Sequence, residues 1–196
     1  MLKDRLNAFH IILASGSPRR QQLLGDMGIA FTLSSNSVDE SYPPKLMGAA
    51  IPQYLAKKKA AALLSQLKAN DILITADTVV WHQDTSLEKP GNKAEARDML
   101  TALSGDWHEV ITAVCITHQG KHQLICEHTR VKFASLTSDE IDFYIEEYKP
   151  FDKAGSYGIQ EWLGLIGIEE ISGSYANVVG LPTQKLYKTL RDMVMA

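Results

Sequence analysis

The sequence predicts an α/β fold built on a mixed sheet, and three observations carry that prediction. Residues 72–80 form a nearly continuous apolar, β-prone run, the pattern of a central strand covered on both faces. Two long β-prone runs, 107–117 and 121–133, flank Gln119-Gly120 and read as an antiparallel hairpin. Segments with helical apolar spacing are interleaved with these strands along the whole chain, as α/β architectures require.

Taken in order, residues 9–14 form a compact apolar run that makes a first strand. It stops at Ser15-Gly16-Ser17-Pro18. Ser17 suits a helix N-cap, and Pro18 suits the first helical position, where its missing N–H costs nothing. Gly28 suits the end of that helix. A short strand over 31–35 leads into a loop over 36–48 that holds Asp39, Glu40 and two prolines. An Ala/Leu/Lys-rich helix follows over 51–68. Asn92 with Glu95 three residues on is an N-cap pair. Behind it, Ala96, Met99, Leu100 and Leu103 share one buried face until Gly105 ends the helix. Thr137 and Glu140 make a capping box for a helix reaching about Tyr148. The stretch 151–180 is glycine-rich with short strand-like pieces. Pro182 opens a terminal helix whose Leu186, Leu190, Met193 and Val194 lie on one side. No repeat or composition break divides the chain, so a single domain over 1–196 is expected.

Composition narrows the function. The 196 residues are 45% hydrophobic and 22% charged, the balance of a globular protein rather than a disordered one. A net charge of −3 gives no basic surplus to displace counterions from a nucleic-acid backbone, so no nucleic-acid partner is expected. A small anion needs only a few local cations. Cys115 and Cys126 form no CxxC pair and read as buried free thiols. No stretch approaches the ~18 apolar residues that span a bilayer, and residues 1–10 lack the apolar core of a secretory signal. A soluble cytoplasmic protein with no membrane partner is the expectation.

Three places could carry chemistry. Ser15 to Arg20 is a strand–turn–helix junction, where free N–H groups and the helix dipole attract anions. Arg19 and Arg20 add forked donors suited to phosphate oxygens, although cations at a helix start oppose the dipole and could simply be solvated. The lysine-bearing signature of a P-loop is absent. Asp77 is a carboxylate inside an apolar β run, expensive to bury without compensation. Metal coordination is one resolution, since Mg²⁺ takes one or two carboxylates plus phosphates and water. Pairing with a lysine or capping a turn is the other. Lys59 lies four residues from both Leu55 and Leu63, so it either snorkels or points into a polar cleft. Lys58 sits close to apolar neighbours too, and helical geometry does not choose between them. Lys89 lies in the turn Glu88-Lys89-Pro90-Gly91. The six histidines show no HExxH or other close ligand pairing, and no serine sits in a GxSxG elbow.

Together the segments resemble the Maf family of nucleotide pyrophosphatases. The resemblance runs from Leu13-Ala14-Ser15-Gly16-Ser17-Pro18-Arg19-Arg20 to Asn177-Val178-Val179-Gly180-Leu181-Pro182. Between them come Val38-Asp39-Glu40, Ala56-Lys57-Lys58-Lys59-Ala60, Ala76-Asp77-Thr78-Val79-Val80, Glu88-Lys89-Pro90 and the stretch from Asp152 to Gln160. Each motif alone is weak; all of them in order are specific. The resemblance implies a twisted mixed sheet flanked by helices, two lobes around a central cleft, similar to inosine triphosphate pyrophosphatases. It implies Asp77 as catalytic acid/base and metal ligand, and Glu40 as a second group for metal or water. Arg19, Arg20, Lys59 and Lys89 would meet the triphosphate, with Ser15 in the same substrate-binding set. A divalent metal, Mg²⁺ or Mn²⁺, and a homodimer are further expectations.

The Tyr157-Gly158-Ile159-Gln160 form resembles the branch acting on dTTP and UTP, in which Arg19, Thr78 and Gln160 bear on base choice. A glutamine amide offers a donor and an acceptor to the imide edge of thymine or uracil. The alternatives are a pyrophosphatase for modified nucleotides such as 7-methyl-GTP, or a nucleotide-sensing regulator of cell division without turnover. One departure from the family pattern is Glu161-Trp162 after Gln160, where many relatives have a glycine-led turn.

Overall fold

The long apolar run becomes the spine of the molecule. The computed structural model describes residues 1–34 and 38–195. Its strands are β1 (His10–Ala14), β2 (Thr32–Leu33), β3 (Asp71–His82), β4 (Thr85–Leu87), β5 (Trp107–His118), β6 (Lys121–Phe133) and β7 (Ile168–Ser172). They form one sheet in the order β2-β1-β3-β5-β6-β7, with β4 also paired to β3. β1 runs parallel to β2 and β3, and the remaining pairs are antiparallel, so the sheet is mixed as expected. The helices are α1 (Leu2–Leu6), α2 (Pro18–Asp26), α3 (Ala50–Ala61), α4 (Lys93–Leu103), α5 (Ser138–Tyr148), α6 (Trp162–Ile166), α7 (Tyr175–Val179) and α8 (Thr183–Met195). The short strand predicted over 31–35 is β2, and Ser35 and Asn36, at the junction of that strand with its loop, lie outside the described residues.

Local chemistry sets most boundaries. Ser17 accepts the Arg20 N–H with Pro18 at the helix start, Asn92 accepts the Glu95 N–H, and Thr137 and Glu140 form a reciprocal capping box. Gln119 and Gly120 have φ of 49° and 73°, the two positive values that a tight β5–β6 turn demands. Gln83 and Asp84 repeat this geometry at 46° and 60° without a glycine, which hid the small β3–β4 hairpin from sequence reading. The helix predicted over 51–68 ends at Ala61. It lies antiparallel to β3, with Ile51 and Leu55 near Val79 and Ala60 and Leu63 near Leu73. Residues 62–70 are therefore needed to reverse the chain before β3 begins.

Alternation along β3 sorts the layers. Leu73, Thr75, Asp77 and Val79 face α3, where the Thr75 hydroxyl donates to the Ala56 carbonyl at 2.7 Å. On the opposite face two apolar clusters sit end to end. Ile72, Ile74 and Ala76 pack with β1, α1, α2 and α8, whereas Val80 packs with α4, α5 and residues 157–163. A polar seam of Thr78, Thr112, Thr129 and Asn177 lies between them. β3 pairs with β5 continuously from Ile72 to Trp81. Its other edge pairs with β1 only as far as Thr75 and with β4 only from Val80. The opening between those two neighbours is the cleft between the lobes.

Gly155 brings the loop after α5 against this opening. Its φ is +68°, its N–H donates to the Glu88 carbonyl at 3.2 Å, and a Cβ there would meet both γ-carbons of Val80 at 2.9 Å. Gly155→Ala is expected to lower stability by about 2–3 kcal/mol through combined backbone strain and overpacking. Urea unfolding checks this, and an unchanged midpoint would show that the loop does not bear on Val80.

Candidate active site

All nine residues singled out from the sequence line one cleft of about 1100 Å³: Ser15, Arg19, Arg20, Glu40, Lys59, Asp77, Thr78, Lys89 and Gln160. Its walls come from the β1–α2 junction, α3, the middle of β3, the turn before α4 and the loop before α6. The volume suits a nucleotide-sized ligand.

Asp77 stands at the floor, 8% exposed, at the gap in the β3 edge. Its Oδ1 accepts from Lys59 Nζ at 2.6 Å, and Lys59 also donates to Glu40 Oε1 at 2.8 Å. Glu40 Oε2 accepts from Lys89 at 3.1 Å, so four charges alternate in sign from floor to rim. Lys58, one residue earlier, turns away to Asp39 and Ser41. The choice that helical spacing left open thus falls to Lys59. Removing Lys59 would cost about 3–5 kcal/mol, because the enclosed Asp77 charge would lose its paired cation. Burial pushes the Asp77 carboxyl above its ordinary range, with Lys59 and Arg20 pulling the other way. For Glu40 burial also acts upward, but the bonds from Lys59 and Lys89 win and hold it at about 2. The cleft therefore pairs a more basic buried carboxylate with a firmly ionised one nearer solvent.

Arg20 is turned inward. Its Nε donates to the Gly180 carbonyl at 2.8 Å, Nη1 to the Ala76 carbonyl at 3.1 Å and Ser15 Oγ at 3.3 Å, and Nη2 to Thr78 Oγ1 at 2.9 Å. Of five guanidinium N–H groups, one is left for a ligand. The Thr112 hydroxyl donates to the Asn177 carbonyl at 3.1 Å, so the 2.9 Å Thr78–Thr112 contact has Thr78 as donor. Thr78 is thereby engaged on both sides. Arg19 lies at the rim and spends one N–H on Asp152 at 2.9 Å. Gln160 is exposed at the far wall.

Sequence reading passed over Asp152 and Lys153 as site residues. The Lys153 side chain is 8% exposed and pairs with Asp152 at 2.7 Å and Glu161 at 3.1 Å. An Asp-Lys pair beside glycines carries no periodic signal of burial, so nothing local marks it. Tyr42 and Glu88 were likewise unmarked; the Tyr42 hydroxyl donates to Glu88 at 2.6 Å on the rim.

No group of three or more His, Cys, Asp or Glu side chains able to hold a metal occurs among the described residues. The donor set does fit a hard divalent cation that keeps phosphate and water ligands. Lys59 occupies Asp77 Oδ1, and among the described residues no second hydrogen bond reaches this carboxylate.

A profile described as Maf-like protein matches residues 10–193. A dTTP/UTP pyrophosphatase of Flavobacterium johnsoniae is 47% identical over 194 residues, covering 99% of this chain and 100% of that protein. One from Bacteroides fragilis is 48% identical over 189 residues, 96% of this chain and 98% of the relative. Among solved structures, a nucleoside-triphosphatase, dITP/XTP pyrophosphatase, from Mycobacterium abscessus covers 66% of this chain and 75% of its own. It does so at 16% identity and a TM-score of 0.42.

The inward turn of Arg20 makes it a structural group as well as a cation. Arg20→Lys keeps the charge but strands several of four acceptors, so stability should fall by about 3 kcal/mol. A thermal melt matching the parent would show that the fork is dispensable.

Proposed function

Because the chain belongs to the Maf-like protein family, we propose that it hydrolyses dTTP and UTP to the nucleoside monophosphate and pyrophosphate. The observation that carries this reading is the buried Asp77 carboxylate at the floor of a cleft lined by Lys59, Lys89, Arg19 and Arg20. Mere retention of a nucleotide needs cations but no buried carboxylate raised in basicity. A base that accepts a proton from water does need one.

In this reading water adds to phosphorus, the anhydride bond between the α and β phosphoryl groups breaks, and pyrophosphate leaves with the electron pair. Asp77 orients the water and takes its proton. Five cationic and four anionic side chains line the cleft, so little net surplus awaits the charge of a triphosphate. Lys59 and Lys89 accordingly exchange their Glu40 bonds for phosphate oxygens, placing preorganised positive charge where it develops on the leaving group. Asp77 and Glu40 are the residues that would hold Mg²⁺ or Mn²⁺. Such an ion lowers the pKa of bound water and neutralises phosphate oxygens. Arg19 meets the phosphates from the rim, while Ser15, Arg20 and Thr78 shape the wall. Gln160 reads the imide edge of the base through its paired donor and acceptor. The chain acts as one domain in this account, since a single sheet underlies both apolar clusters.

A chromatographic assay with Mg²⁺ or Mn²⁺ against dTTP, UTP, CTP, ITP and 7-methyl-GTP tests the reading directly. Asp77→Asn should lose about 10³-fold or more in kcat with an unchanged circular dichroism spectrum, in the range that general-base removal costs. Turnover near that of the parent would take Asp77 out of the chemistry. Gln160→Glu replaces the amide donor with a charge and should lower kcat/KM for dTTP and UTP about tenfold relative to 7-methyl-GTP. An unchanged ratio would remove Gln160 from base selection.

A further inference from the structure

Behind Gln160 runs a line of charged and polar side chains of which the hydrolytic chemistry uses only Arg19, at one end. At its centre Lys153 Nζ bonds Asp152 Oδ1 at 2.7 Å and Glu161 Oε1 at 3.1 Å. The other oxygen of Glu161 accepts from the Tyr144 hydroxyl, which itself accepts the Gly158 N–H at 2.9 Å. Asp152 carries the line to the opposite lobe through Arg19. Burial, and after it the Glu161 carboxylate, push the Tyr144 phenol well above its usual range, so it stays a donor.

Glu161 is placed unusually for its position. It is the N-cap of α6, yet its side chain makes no capping bond and is turned back onto Lys153 and Tyr144. Gly158 marks how closely the groups converge: a Cβ on it would lie 2.8 Å from both Gln160 Nε2 and Glu161 Cδ. The Gln160 amide and the Glu161 carboxylate therefore both crowd the bare Cα of Gly158. An enclosed ion pair of this kind adds little net stability, because desolvation offsets attraction, and its worth lies in fixing geometry.

We propose that Glu161 is a positioning residue for base selection: bonded to Lys153 and Tyr144 over Gly158, it fixes the Gln160 amide against the cleft. The pyrimidine preference depends on that fixed orientation. This inference rests on the pyrophosphatase reading above.

The test is kcat and KM for dTTP, UTP and CTP with the parent, Glu161→Ala and Glu161→Gln. Glu161→Ala should raise KM for dTTP about tenfold with a much smaller change in kcat, and should narrow the dTTP-to-CTP ratio of kcat/KM about tenfold. Glu161→Gln keeps the shape and an acceptor for Tyr144, and should recover most of the discrimination. A lower melting temperature for Glu161→Ala with an unchanged substrate ratio means a structural role only and overturns the proposal. Should Glu161→Ala not fold, Tyr144→Phe removes one hydroxyl from the same line; lost discrimination supports the proposal and an unchanged ratio overturns it. A parent protein inert toward both dTTP and UTP overturns the pyrophosphatase reading itself, and this inference with it.

Discussion

Between Thr75 and Val80 no strand among the described residues lies beside one edge of β3, and the guanidinium of Arg20 reaches into the space where a neighbour would run. Buried backbone groups need partners, and a sheet interrupted in its middle strand leaves some of them exposed to whatever fills the gap. Arg20 takes the Ala76 carbonyl, and the same fork holds Gly180 and Thr78. The middle of β3 and the residue after α7 are thereby fixed to α2 around one planar cation. The gap itself is what lets Asp77 sit on a central strand and still be reached from outside.

The electrostatics follow from that geometry. Asp77 tolerates its enclosure because Lys59 is delivered by α3 directly opposite, and Lys59 is in turn shared with Glu40 from the preceding loop. The sharing leaves the Lys59 ammonium with two carboxylates in reach. Arg19–Asp152 and Lys153–Glu161 provide similar pairing along the far wall. Shape along these walls is therefore held in part by groups that also carry the charge.

Sequence patterns revealed the parts whose physics is local. Ser17-Pro18, Asn92 with Glu95 and Thr137 with Glu140 satisfy helix ends within four residues of themselves, and they appear in the fold where expected. Asp77 was legible as an anomaly, a charge in an apolar run, and of the readings left open for it the structure shows the pairing with a lysine, Lys59. What escaped notice depended on distant partners. Lys58 and Lys59 differ by one residue and diverge only because Glu40 and Asp77 wait on one side and Asp39 and Ser41 on the other. The consumption of Arg20 by backbone carbonyls had no local signature, since Gly180 lies 160 residues away. Lys153 looked like any surface lysine until Glu161 and Asp152 closed around it.

The two outermost strands have a further consequence. β2 contributes only Thr32 and Leu33, and β7 contributes five residues, among them the adjacent exposed glutamates Glu169 and Glu170. A strand border invites foreign chains to continue the hydrogen-bond ladder, and shortness and charge are the usual ways of refusing them. One border of this sheet offers scarcely a rung, and the other meets an incoming strand with paired negative charge. Copies of this protein that meet in a crowded solution consequently find little at either of these two borders on which to continue the ladder.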